Sequence, residues 1–406
     1  MPEARPALVP ELRFPEFRDA GPWEVKRLGD LGPVSMCKRV MKDQTASTGD
    51  VPFYKIGTFG KQADAYINRD LYEEFKSKYS FPQKGDILIS AAGTIGRTVV
   101  YDGEPAYFQD SNIVWIANDE ELATNEFLNF AYQKVNWRTD DNTIARLYND
   151  NLRSIKVALP SLPEQQKIAD CLSSLDDLIR AEERRLEALS AHKTGLMQCL
   201  FPALGQTTPR LRFPEFRDAG PWEVKRLGDE DVADFVRERI TAEDIASGHY
   251  ISTVNLLPEF GGLSPEPEVP PSGSAIAYRE GDILMSNIRP YLKKVWVADR
   301  SGGASNDVLV ARPARNTVQS FLGHLLMSDR FVAHVMEGAK GVKMPRGDLE
   351  KIKDFEVPAP DNREQQKIAD CLTVLDDLIR TQDETIEALK THKRGLMQKL
   401  FPREVG

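Results

Sequence analysis

The chain has no apolar run approaching the ~18 residues that a membrane-spanning helix requires, so a helical integral membrane protein is not expected. Its opening, MPEARPALVPELRFPEF, holds no apolar core and no cleavage signature, which argues against a secretory signal. Cysteine is scarce. The four present, Cys37, Cys171, Cys199 and Cys371, form no CxxC and no Cys/His spacing suited to a metal ion. A disulfide framework and a metal site are therefore not expected, and the thiols read as those of a reduced, cytoplasmic protein. Positive charge is not in excess either. Lys and Arg number 53 against 62 Asp and Glu, a net charge of −9, which argues against a generic basic nucleic-acid binder but not against a local basic face.

Catalytic signatures are missing as well. There is no phosphate-cradling GxxxxGK[ST], no GxGxxG and no GxSxG elbow. Asn287-Ile-Arg-Pro-Tyr291 has the wrong Arg and Pro spacing for the Asn-Pro-Pro-aromatic motif of amino-methyltransferases. Asp348, Glu350 and Lys351 stand too close together for a nuclease carboxylate set. The five histidines include His192 and His392 at equivalent places in the two copies of a repeat described next, suited to solvated or interhelical contacts.

What the sequence does contain is itself, twice. Glu164 to Arg180, EQQKIADCLSSLDDLIR, returns 200 residues later as EQQKIADCLTVLDDLIR, identical at 15 of 17 positions. Leu12 to Asp30, LRFPEFRDAGPWEVKRLGD, recurs unchanged at Leu211 to Asp229. With a period of about half the chain, this is the duplication of a whole unit rather than a solenoid. Each unit runs from an extended leader anchored by Phe14, Phe17 and Trp23 (or Trp222 and its neighbours), through a body of roughly 130 residues, to a long helix.

In the first body, Val51 to Phe59, Gly85 to Tyr101 and Phe108 to Ala117 have strand composition. Asn125 to Trp137 has helical spacing, and Asn151 to Leu159 reads as a short closing strand. The second body echoes this with Gly281 to Ala298, Ser305 to Pro313, a helical stretch over Gln319 to Met336, and a closing Gly347 to Pro358. The expected class is α+β: two mixed α/β domains, 1–160 and 203–360, alternating with two long helices, 161–202 and 361–406.

The helices carry a heptad seam. It runs through Ile168, Leu172, Leu175, Ile179, Leu186 and Leu189 in the first, and Ile368, Leu372, Leu375, Ile379, Ile386 and Leu389 in the second. Both seams are interrupted at Glu182/Gln382 and at Lys193/Lys393. A helix of ~38 residues makes a rod of roughly 57 Å, and its near-identical partner in the same chain is the cheapest cover for its seam. An antiparallel pair would place one body at each end and relate the halves by a pseudo-twofold axis.

The bodies offer loops suited to a polyanion. Gly93, Thr94 and Arg97 follow a strand directly; glycine allows close backbone approach, and Thr and Arg can contact phosphate or a base edge. The corresponding place in the second body holds Ser286, Asn287 and Arg289, then Lys293 and Lys294. Asn and Arg are the side chains that read adenine and guanine edges with two hydrogen bonds. A second loop precedes each closing strand, with Thr143 and Arg146 in one body and Lys340, Lys343 and Arg346 in the other.

In this order the chain resembles the specificity subunits of type I restriction–modification systems. The resemblance spans essentially the whole chain. It rests on WEVKRLGD at Trp23 and Trp222, GDILIS…GTIGR at Gly85, and above all LPSLPEQQKIADCLSSLDDLIR at Leu159 with its second copy VPAPDNREQQKIADCLTVLDDLIR at Val357. The second body departs from the pattern, with NIRPY in place of GTIG. The resemblance implies that each body is a target recognition domain reading one half of a bipartite double-stranded DNA site. It implies helices that space the half-sites and dock two methyltransferase subunits, and a restriction subunit where the system has one. It places S-adenosylmethionine in the methyltransferase subunit and ATP and Mg in the restriction subunit, leaving this chain without cofactor or catalytic residue. Two dissimilar bodies on a symmetric frame independently predict an interrupted, asymmetric target, and ~57 Å exceeds one ~34 Å turn of DNA. A DNA-binding or coiled-coil scaffold without methyltransferase partners is the alternative.

Overall fold

The computed structural model describes residues 8–137, 147–264, 273–341 and 343–402. The fold is α+β with an internal repeat, and it divides into two compact units. One is Met1–Glu183 with Thr385–Gly406, the other Arg184–Glu384. Each unit therefore holds one body, the first half of the helix that follows it, and the second half of the other long helix. The long helices span Leu162–Leu200 and Asn362–Leu400, 39 residues each. Among the described residues no helix is long and apolar enough to cross a membrane.

In the first unit the central sheet has four antiparallel strands in the order Val34–Ser35, Ile113–Ile116, Ile87–Ser90, Thr98–Val100. Its two middle strands, IVWI and ILIS, are buried throughout. Side chains alternate across a strand, so the two faces feed separate cores. Ile87, Ile89, Val114 and Ile116 enter a core shared with the helix Asn125–Ala131 and the long helices. Leu88, Ile113 and Trp115 enter a second core with a three-stranded sheet of Tyr66–Ile67, Val51–Tyr54 and Tyr107–Phe108.

The second unit repeats this plan. Ala233–Phe235, Val308–Pro313, Ile283–Ser286 and Val295–Val297 form its central sheet. Ile283, Met285, Val295 and Ala311 face the helices, and Leu284, Trp296, Val308 and Val310 face the other way. The smaller sheet here has four strands, Arg239–Thr241, Ser274–Tyr278, Gly302–Ala304 and Tyr250–Ile251. In both units the leader strand pairs antiparallel with the closing strand, Val25 opposite Ala158 and Val224 opposite Pro358.

Four elements differ from the sequence-based expectation. Asn151 to Leu159 is not all strand: a helix, Asn149–Ser154, precedes the strand Lys156–Leu159. Its counterpart, Leu349–Lys353, starts where the Asp348 side chain accepts from the Glu350 amide, a capped turn inside the closing stretch Gly347 to Pro358. Gln319 to Met336 is two helices, Gln319–Leu326 and Asp329–Glu337, parted by Ser328, whose hydroxyl donates to Leu325 O and accepts from Phe331 N. A helix over Arg69–Lys78 was not expected at all. Asn68 caps it by accepting from Leu71 N, and only Tyr72 of it is buried.

Candidate nucleic-acid interface

The EQQ that opens each long helix locks a body to its leader. Glu164 accepts two hydrogen bonds of 2.7 Å from Arg13, and the Arg13 guanidinium also donates to Ala20 O and Gly21 O. Glu364 and Arg212 repeat this at the same 2.7 Å distances. Gln165, fully buried, donates to Leu122 O and Pro160 O and accepts from Thr124 N, at the start of the body's own helix. Gln365 does the equivalent with Pro360 O and Val318 N.

The seam residues are buried or half-buried at every predicted position: Ile168, Leu172, Leu175, Ile179, Leu186, Leu189, Ile368, Leu372, Leu375, Ile379, Ile386 and Leu389. They do not all serve one purpose. Ile168 and Leu172 lie in the body core beside Met397, Leu400 and Phe401 of the second long helix. Ile368 and Leu372 likewise join Leu200 and Phe201. The lysines that interrupt the seam reach carboxylates on the facing helix. Lys393 donates to Asp176 at 2.5 and 2.7 Å in the first unit, and Lys193 pairs with Asp376 in the second. Within each unit the helices thus run antiparallel.

The strand-end loops are built around one serine. Ser90, buried at the end of its strand, donates to Thr94 O at 2.5 Å and accepts from Arg97 N at 2.9 Å. Gly93 and Thr94 are exposed at the tip. Gly96 has φ +80°, and a Cβ there would fall 2.2 Å from the Trp137 ring, so only glycine fits. The Arg97 guanidinium donates to Phe59 O, which holds it along the body. Ser286 plays the serine's part in the second unit, bonding Ile288 O and Ile288 N. Each loop is zipped to the stretch before the closing helix, by Leu147 N to Ala91 O in one unit and Gly347 N to Asn287 O in the other. Thr143 and Arg146 lie outside the described residues.

In the second unit the structure separates the cationic candidates. Lys293 pairs with Glu259 at 2.9 Å and Asp329 at 3.0 Å, bonds that raise its pKa. Lys294 donates to Thr253 O at 2.7 Å, and burial lowers its pKa. Asn287 keeps its side-chain oxygen buried without a hydrogen-bond partner. Lys340 is bonded to Asp348, and Arg346 is paired with Asp307 at 3.0 Å. Lys293, Lys294, Lys340 and Arg346 thus brace the loops. Arg289 and Lys343 are exposed and make no ion pair among the described residues. Lys351, of the trio set aside as a nuclease site, pairs with Glu337. Among the described residues no group of three or more His, Cys, Asp or Glu could hold a metal ion.

Sequence reasoning missed Arg13, Arg212, Asp176 and Asp376. The first two lie in an unchanged repeat and the last two in LDDLIR, so identity between copies was the available signal.

Comparison with known proteins gives a consistent result. A family model described as type I restriction modification DNA specificity domain matches residues 21–191 and again 220–391. A Haemophilus influenzae protein assigned as type I restriction enzyme specificity subunit S.HindORF215P is 59% identical over 156 residues, 38% of this chain and 40% of that protein. The type I restriction enzyme MjaVIII specificity subunit of Methanocaldococcus jannaschii is 24% identical over 428 residues, 97% of this chain and 94% of that protein. In structure the chain is similar to the type I restriction–modification S subunit from M. genitalium, with a TM-score of 0.59 at 15% identity, covering 98% of this chain and all of that one. That likeness concerns the fold alone.

Proposed function

The chain belongs to the type I restriction–modification DNA specificity family, and on that footing we propose that it selects the DNA site at which a methylating complex acts. In this reading residues 1–160 and 203–360 are two target recognition domains, and 161–202 and 361–406 are the helices that space them. Each domain reads one half of an interrupted, asymmetric duplex sequence. The chain supplies recognition, and the chemistry belongs to partners: two methyltransferase subunits carrying S-adenosylmethionine and, where the system has one, a restriction subunit with ATP and Mg.

The observation that carries this reading is the contrast between frame and loops. The frame repeats its main contact, Arg13 on Glu164 and Arg212 on Glu364 at the same 2.7 Å. The loops braced on it differ in residue type, with Gly93 and Thr94 exposed in one unit and Arg289 and Lys343 in the other. A duplicated frame with unlike tips suits a target whose halves are unlike. Leu178 and Leu378, at equivalent helix positions, are similarly exposed, 42% and 46%; helices that present like surfaces suit two copies of one partner.

Exchange of residues 203–360 for the corresponding part of another family member tests the reading. The expected outcome is a methylated sequence altered in one half-site only. Alteration of both halves would contradict it.

A further inference from the structure

Three loops of the second unit are stapled into one tip. Lys294 Nζ holds Thr253 O at 2.7 Å, and Glu259 N and Phe260 N donate to Leu292 O and Lys293 O. Arg289 N donates to Pro345 O at 2.8 Å, and the chain folds back between Lys340 and Arg346, which bond each other in both directions. The tip is strained as well as braced. Of the six non-glycine residues with positive φ among the described residues, four lie here: Glu259, Phe260, Arg289 and Lys293, between 51° and 58°. Such conformations persist only where the surroundings enforce them, and they gather at functional sites.

The braced tip holds outward what a soluble surface ordinarily tucks away. Val254, Tyr291 and Met344 are 73%, 45% and 52% exposed, one from each loop. Beside them stand Arg289 and Lys343, exposed cations whose side chains make neither an ion pair nor a hydrogen bond among the described residues. Pro345 is buried and fixes the base of Met344. Unpaired cations around exposed apolar side chains on a rigid edge fit a duplex groove: cations meet phosphate, and an apolar side chain meets the C5 methyl of thymine.

We propose that this tip is the base-reading edge of the second recognition domain, with Met344 against a thymine methyl and Arg289 and Lys343 on the flanking backbone. The assignment rests on the DNA-reading role proposed above and adds to it one residue and one base.

A binding selection from a random duplex library tests it, using the full chain in complex with its methyltransferase subunit. Four proteins are compared: the unsubstituted chain, Met344→Ala, Arg289→Ala with Lys343→Ala, and Val224→Ala, an exposed apolar control on the leader strand. For the unsubstituted chain, one half-site contains a thymine whose replacement by uracil weakens binding about fourfold, the effect of burying one methyl-sized group. Met344→Ala relaxes that position alone and becomes indifferent to uracil. The Arg289/Lys343 variant weakens binding to all sequences alike and lowers its salt dependence. Val224→Ala changes nothing. A motif unchanged by Met344→Ala, or relaxed equally by Val224→Ala, overturns the assignment and leaves the specificity role standing. Recovery of no motif by the unsubstituted chain overturns both.

Discussion

Arg13 and Glu164 stand 151 residues apart in sequence and meet in a two-pronged ion pair, both bonds 2.7 Å, with side chains only 7% and 1% exposed. The pair fastens the leader to the first turn of the long helix, where the helix dipole favours the carboxylate. A buried pair broken on one side leaves an uncompensated charge.

Arg13→Met should therefore destabilise the first unit by about 3–5 kcal/mol, and Arg13→Met with Glu164→Met by clearly less. Denaturant unfolding of the full chain, followed in the first unit by hydrogen exchange, measures both. A double variant as unstable as the single one would remove the argument from buried charge.

Gln165 uses both ends of its amide, donating to Pro160 O and Leu122 O and accepting from Thr124 N. Gln165→Glu keeps the acceptor but loses the donors and faces two carbonyls with a carboxylate. It should cost more than Gln165→Ala, which leaves these groups unsatisfied at about 1–3 kcal/mol. Faster exchange of the Thr124 amide in the alanine variant is the local readout.

The second unit should weaken in acid. His324 is buried, with Thr373 Oγ1 3.3 Å from Nε2 and Nδ1 facing the Asp376 carboxylate, which also binds Lys193. Burial, opposed by Asp376 and aided by Lys193, pushes its pKa down from 6.5 to about 4. Above pH 6.5 the ring is neutral folded and unfolded. As pH falls from 6.5 towards 4 the unfolded chain takes up a proton that the folded chain refuses, and stability drops, on the order of 2 to 3 kcal/mol. Below 4 this contribution levels off. His324→Phe, matching Phe130 in the first body, should flatten the slope of the second unit's stability over that window. An unchanged slope would assign the pH dependence to other groups.

Gly96→Ala should displace the loop that carries Gly93 and Thr94, because φ +80° is strained for alanine and the new methyl would overlap Trp137. The expected readout is a changed Trp137 fluorescence, with recognition by the first domain impaired and the second domain's half-site unaltered.

Much of the frame was legible because it is written twice. The repeated heptads placed Ile168 and Ile368, and the apolar runs ILIS and ILMS placed the central strands, since burial on both sheet faces leaves no polar alternation to mislead. Capping chemistry was harder to read. Asn68, Ser328 and Asp348 each decide a helix boundary through one hydrogen bond, a signal without periodicity. The loop cations were harder still. Lys293 and Lys294 are adjacent and look equivalent in sequence, yet one is held by two carboxylates and the other by a carbonyl. Those partners, Glu259, Asp329 and Thr253, lie 34 to 41 residues away, where no local pattern points.

The central claim, that this chain chooses where DNA is modified, is tested most directly by a genome-wide map of methylated bases in the source cell with and without the gene. The account predicts that one interrupted, asymmetric adenine-methylated motif is lost on deletion and returns with the intact chain. A cell that methylates such a motif equally in the chain's presence and absence would contradict it.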